Sequence, residues 1–313
     1  MAYTLAHISD WHVTSLDGCR VRDLANKRLL GWLSWQQRRR HRHRPDVLRA
    51  LFKDLRHQAP DHVAVTGDLT NIALPAEFAV AAEWLADLGP PSWISLVPGN
   101  HDAYVSVPRA DSWDLWSEYM VSDEVLEDRI SPTSSLPAPR DDEFPTVRIR
   151  GPLALVGVCS AVPTPIGFAS GHVGPGQLER LASTLAELRA RELCCIVLIH
   201  HSPVDEDFSP RRRLSDAAGL RRVLRDVGAD LVLHGHGHRT VMSRVTGPEG
   251  DIPVLGVRSS SHCDELERRR AQYHLIHVER GPVLGGARFR FVIETRGYDG
   301  ETGGFVAEGD RPL

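Results

Sequence analysis

The chain has 313 residues, a formal charge of −4, 42% hydrophobic and 25% charged residues. That composition is ordinary for a soluble globular protein, the acidic balance gives no global pull toward nucleic acid, and no apolar stretch approaches the roughly 20 residues that span a bilayer. The five cysteines include adjacent Cys194 and Cys195 but no C-x-x-C pair, and they read as reduced core thiols. The opening M-A-Y-T-L-A-H-I-S-D carries no basic and apolar leader, so a cytoplasmic location is expected.

Short apolar runs alternate with longer amphipathic ones. Strands are predicted at Thr4–Ser9, His62–Thr66, Trp93–Val97, Thr146–Arg150, Leu153–Cys159, Cys195–Ile199 and Leu231–His234. Between them, helices are predicted at Asp46–His57, Pro75–Leu88, Asp111–Met120, Gly176–Arg191 and Ser215–Val227, the last with Ser215 as its cap and Gly228 as its stop. After residue 240 the helices cease, and strands are expected at Thr240–Val245, Pro253–Val257, His274–Val278 and Arg288–Glu294. This pattern implies helices layered over sheets in a single domain, 1–313. Two stretches interrupt it: the apolar and basic segment 24–44, and the proline-, serine- and acid-rich segment 122–145, which reads as a lid-like loop.

Five strands end in side chains able to bind metal. In chain order these are D-W-H (Asp10, His12), G-D (Asp68), G-N-H-D (Asn100, His101, Asp102), H-H (His200, His201) and H-G-H-G-H (His234, His236, His238). Each group alone is weak evidence. Their recurrence at strand ends, where α/β sheets bind ligands, is strong evidence of a site. Two nearby divalent ions need a shared carboxylate to screen their repulsion, with imidazole and amide oxygen completing the donor set.

In this order the motifs resemble the calcineurin-like metallophosphoesterase superfamily, over roughly Ala6 to His238. The resemblance implies a four-layer α/β/β/α sandwich, with the strand-rich tail supplying much of the second sheet. It implies two divalent ions (manganese, iron, zinc or cobalt), one held by Asp10, His12 and His238, the other by Asn100, His200 and His236, with Asp68 bridging them. His101 is expected near the leaving group, oriented by Asp102, to donate a proton or stabilise charge. His201 and His234 are expected to lie beside the ligands without coordinating. The implied reaction is hydrolysis of a phosphodiester or pyrophosphate bond by a metal-bridging hydroxide. The substrate could be nucleotide- or lipid-linked, such as UDP-diacylglucosamine, or else a cyclic nucleotide or glycerophosphodiester. A non-catalytic binding scaffold on the same fold is the alternative of another class.

Segment 24–44 contains K-R-L-L-G-W-L-S-W-Q-Q-R-R-R-H-R-H-R. Three readings stay open. Its helix packs on the core with a solvated basic turn; or Trp32 and Trp35 anchor it in an anionic membrane surface at the inner face; or its arginines clamp a polyanionic soluble substrate. No nucleic-acid partner is expected.

Overall fold

The structure is a computed structural model and describes residues 3–123, 143–264, 266, 269–281 and 288–313. The lid-like loop expected at 122–145 lies, for residues 124–142, outside the described residues.

Two six-stranded sheets form the centre. The first contains β1 (Tyr3–Ile8), β2 (His62–Val65) and β3 (Ile94–Leu96), all parallel, extended by the antiparallel β10 (Gln272–Arg280), β11 (Phe289–Asp299) and β12 (Gly304–Pro312). The second contains β4 (Thr146–Arg150), β5 (Leu153–Val158), β6 (Cys194–Ile199), β7 (Leu231–His234), β8 (Val241–Gly247) and β9 (Gly250–Gly256), with β5, β6, β7 and β9 parallel and β4 and β8 as antiparallel edges. The tail serves both sheets, giving β10, β11 and β12 to the first and β8 and β9 to the second.

The alternation of side chains along a strand explains the layering. Leu153, Leu155, Cys194, Ile196, Leu198, Leu231 and Leu233 face the first sheet and share its core. Their neighbours Ala154, Val156, Cys195, Val197, Ile199 and Val232 face the opposite way, into a second core closed by α4 (Pro175–Ala190) and α5 (Ala217–Val227). Across the first sheet lie α2 (Pro45–Gln58) and α3 (Pro75–Leu88). In α2 the buried stripe Val47, Leu48, Leu51, Phe52 and Leu55 has helical spacing, and Pro45 opens the helix where its missing N–H costs little. The result is four layers, α/β/β/α.

Three local differences from the sequence reading have physical causes. The region expected to be an α-helix at Asp111–Met120 is largely a 3₁₀ turn, Trp113–Tyr119. Trp113, Trp116 and Tyr119 recur every third residue, so three residues per turn line them up, and Trp116 and Tyr119 are buried. In α5 Ser215 does not cap. Its hydroxyl meets His172, and Asp216, at the cap position, accepts the amides of Val173 and Gly174 from the neighbouring loop. Strand β12 went unrecognised because it is an exposed edge in which Phe305 alone is buried.

Segment 24–44 is helical. It comprises α1 (Arg28–Ser34), a π turn at Trp35–Arg39 and a final turn at Arg40–Arg42. Trp35 is buried in a small satellite core with Leu16, Ile72 and Leu74, and Trp32 packs against it. No helix among the described residues is long and apolar enough to cross a membrane.

Candidate metal centre

Because β1, β2 and β3 run parallel, as do β5, β6 and β7, the loops at their carboxyl ends meet along one edge. Backbone bonds lock those loops together: Asp10 N–H to Gly67 O at 2.9 Å, and Gly235 N–H to His200 O at 3.2 Å. The two sheets are joined through Asp10, whose Oδ2 accepts the His236 amide at 3.0 Å. Crowding explains the glycines. A Cβ on Gly67, which has φ +91°, would lie 2.5 Å from Gly99 N, and one on Gly235 would lie 2.1 Å from Ser9 Oγ.

The backbone is strained where the side chains matter. Asp10, His12, Asp68, His236 and His238 all have positive φ, between 44° and 65°. Each such conformation costs a non-glycine residue on the order of 1–3 kcal/mol, which the surrounding packing must offset. Five of the eight non-glycine residues with positive φ among the described residues belong to this one cluster.

The donor atoms fall into two groups. Asp10, His12, Asp68 and His238 offer ligand atoms within 4.8 Å of one another, as do His200, His201 and His236. Asp68 stands between them, with Oδ2 3.6 Å from His12 Nε2 and 3.3 Å from His200 Nε2. His238 Nε2 is 3.1 Å from Asp10 Oδ1, and Asn100 Oδ1 is 3.2 Å from His200 Nε2. The imidazoles are oriented from behind. His12 Nδ1–H donates to Thr70 O at 2.7 Å and His200 Nδ1–H to Thr66 O at 2.6 Å, so both turn Nε2 inward.

Asp10 Oδ1, His12 Nε2 and His236 Nε2 are buried and have no hydrogen-bond partner. Orphaned buried polar atoms are rare and costly; three in one cluster fit a pair of divalent ions bound by mixed nitrogen and oxygen donors. The electrostatics agree. Burial, then neighbouring cationic groups, hold His12 and His236 well below the usual imidazole range, in the neutral form that binds metal. Burial also opposes ionisation of Asp68, but the facing His200 and His101 outweigh it and hold the carboxyl well below the usual range. For His200 burial works against the charged ring, and the Asp68 carboxylate overcomes it, lifting the group to about 9. The field that favours a proton there also favours a metal cation.

His201 touches this cluster, yet both of its ring nitrogens are engaged, Nδ1 by Ser160 Oγ at 2.8 Å and Nε2 by Ala169 O at 3.3 Å.

Asp102 does not contact the His101 ring as expected. Its carboxylate accepts the amides of Asp68, Leu69, Thr70 and Gly99 at 2.8–2.9 Å, so it fixes the loops that present Asp68 and Asn100. His101 is held instead by Asn71 O, to which Nδ1–H donates, and by Arg39, whose Nη2 lies 3.0 Å from Nε2. Its ring stacks on Tyr104. Burial, then Arg39, push the imidazole down to about 3.

Several supporting residues escaped the sequence reading. Ser259 Oγ donates to Asp10 O at 2.6 Å, and His43 packs edge-on against His12 and His238 while bonding Ser261 at 2.9 Å. Glu77 takes the amides of Asn71, Ile72 and Leu74 and the hydroxyl of Thr14. Above the centre opens a cleft of about 810 Å³ lined by Asp68, Asn100, His101, His236 and His238, and by Arg39, Arg42, Arg212, Arg239 and Arg269. R-R-R at 211–213 and the arginine after H-G-H-G-H were the available signals for two of these.

A family model described as calcineurin-like phosphoesterase matches residues 3–240. Among solved structures, a dimetal phosphatase from Danio rerio is similar at 14% identity and a TM-score of 0.56, covering 97% of this chain and 98% of that one. The Haemophilus influenzae NAD nucleotidase is similar at 12% identity and a TM-score of 0.51, covering 99% of this chain and 60% of that one. A 5'-nucleotidase precursor from Thermus thermophilus matches at 16% identity and a TM-score of 0.45; this chain, all of it covered, spans 54% of that protein's length. No curated protein matches. The family match spans all five strand-end motifs, and those motifs converge on one edge of a four-layer sandwich; the chain belongs to the calcineurin-like phosphoesterase family.

Proposed function

We propose that the protein is a dinuclear-metal hydrolase of phosphodiester or pyrophosphate bonds. The observation that carries this reading is the placement of Asp68 between two buried donor sets at the floor of an arginine-lined cleft. Asp10, His12 and His238 would hold one ion, Asn100, His200 and His236 the other, and Asp68 both. Manganese, iron, zinc or cobalt suits these donors. When bound, the ions supply Lewis-acid stabilisation of phosphoryl oxygens and a water acidic enough to attack near neutral pH.

The chain's own groups do the rest. The cleft arginines bind the anionic substrate and exclude competing cations. Asp102 holds the Asp68 and Asn100 loops in place, which limits reorganisation during the reaction. His101 donates Nδ1–H to Asn71 O, and the Arg39 guanidinium faces the same ring with Nη2 3.0 Å from Nε2 and Nη1 3.1 Å from Nδ1. The pair therefore serves the leaving group by positive charge through the guanidinium, rather than by a proton stored on the ring. The test is turnover of bis-p-nitrophenyl phosphate by manganese-loaded protein. Hydrolysis that disappears in Asp68→Asn is expected. A protein that takes up metal and remains inactive on phosphoesters would leave the scaffold alternative standing.

A second reading concerns location. Leu29, Leu30 and Leu33 of α1 are 40–50% exposed beside exposed Arg38 and Arg40, a combination suited to an anionic lipid surface. Buried Trp35 contributes nothing to such a contact.

A further inference from the structure

We propose that the cleft selects a substrate with two adjacent phosphate groups, one at the metal centre and the second held by arginines outside the ligand set; this rests on the hydrolase reading above. Among the described residues five guanidiniums line the cleft, and Asp68 is the one carboxylate beside them. In a chain of net charge −4 this is a local reversal of sign. The ions, offset by Asp10 and Asp68, already meet the charge of a single phosphoryl group. The arginines exceed that need.

Their arrangement is that of a built site. Arg212 and Arg239 flank the ring of Phe208, each 5.9 Å from its centroid, and Arg212 is fixed by donating to His236 O at 2.9 Å. On another wall the Arg42 carbonyl accepts the Cys263 amide at 2.7 Å, which places the backbone of that residue, and the Arg269 guanidinium lies 3.7 Å from Asp264. Arg39, on His101, stands between these walls and the metal centre. Among the described residues Arg39, Arg42 and Arg212 have no carboxylate within 4 Å. Guanidiniums without acidic partners keep their charge for phosphate oxygens, and Arg212, held by a backbone carbonyl, and Arg39, held on His101, are preorganised for them. The cleft volume of about 810 Å³ falls in the range that encloses a nucleotide-sized ligand. Two of the five arginines come from segment 24–44, which gives that basic run a role as a clamp.

The experiment compares methylenediphosphonate with methylphosphonate, neither hydrolysable, titrated calorimetrically into the manganese-loaded 313-residue protein. The diphosphonate is expected to bind at least tenfold more tightly. That ratio should fall below about threefold in R42Q/R269Q and survive in R42K/R269K and in the exposed-surface variant R38Q. Equal affinities in the parent overturn the proposal. So does a ratio that persists in R42Q/R269Q, since the arginines of that wall would then have no part in holding the second phosphate. Failure of the hydrolase reading itself shows separately, as absent turnover of bis-p-nitrophenyl phosphate.

Discussion

The Asp102 carboxylate grips the backbone of Asp68: Oδ2 accepts the Asp68 amide at 2.8 Å and the Gly99 amide at 2.9 Å, while Oδ1 takes Leu69 and Thr70. One buried side chain thus ties the G-D loop to the G-N-H-D loop. Asp102→Asn turns an NH₂ toward two of these donors, leaving buried N–H groups unpaired at about 1–3 kcal/mol each. We expect the urea midpoint to drop and the bound metal to fall together. A variant with parental stability and full metal would show that Asp102 positions nothing.

Arg39 and His101 should act as a unit. Arg39→Gln removes the charge at the leaving-group side, and we expect kcat to fall about 10²-fold with metal content unchanged. His101→Ala should cost a similar factor, within the roughly 10²–10⁴-fold range typical of groups assisting the leaving atom. The double variant should be little worse than either single one. Multiplicative losses would separate the two roles.

Acid should destabilise the protein through histidines remote from the metal centre. His62, held on Ser95, and His274 are buried, and burial, then nearby arginines, lower each to about 3. In the unfolded chain both titrate near 6.5. Their folded state is thus fully favoured above that value and loses stability as pH falls from about 6.5 toward 3, by about 1.4 kcal/mol per pH unit for each ring. Chemical denaturation at pH 7 and pH 5 measures it, and His62→Gln should flatten the slope by one ring's share. An unchanged slope would mean that His62 is not kept neutral.

The lipid-surface reading predicts sedimentation with phosphatidylserine vesicles that is lost in Leu30→Ser/Leu33→Ser. Trp35→Ser should instead lower stability by about 3–5 kcal/mol, because it empties a buried site. Absence of vesicle binding by the parent removes this reading.

The strands and the ligand candidates were legible because two local signals coincide. Runs such as Leu231–Leu233 are apolar on both faces, as parallel strands buried between layers must be, and metal-capable residues follow them directly. Hidden features depend on distant partners. Nothing near Asp102 in sequence reveals that its acceptors serve the loop after β2, and nothing near Arg39 reveals His101, 62 residues away. Tryptophans in an arginine-rich run suggested a membrane anchor, but Ile72 and Leu74 arrive from another loop to bury Trp35. Edge strand β12 has too few apolar positions to register at all.

The most direct test is anomalous diffraction from crystals of the manganese-loaded protein. Two peaks are predicted, one on Asp10, His12 and His238 and the other on Asn100, His200 and His236, with Asp68 contacting both. A single peak, or peaks away from these seven side chains, would contradict the shared-carboxylate centre.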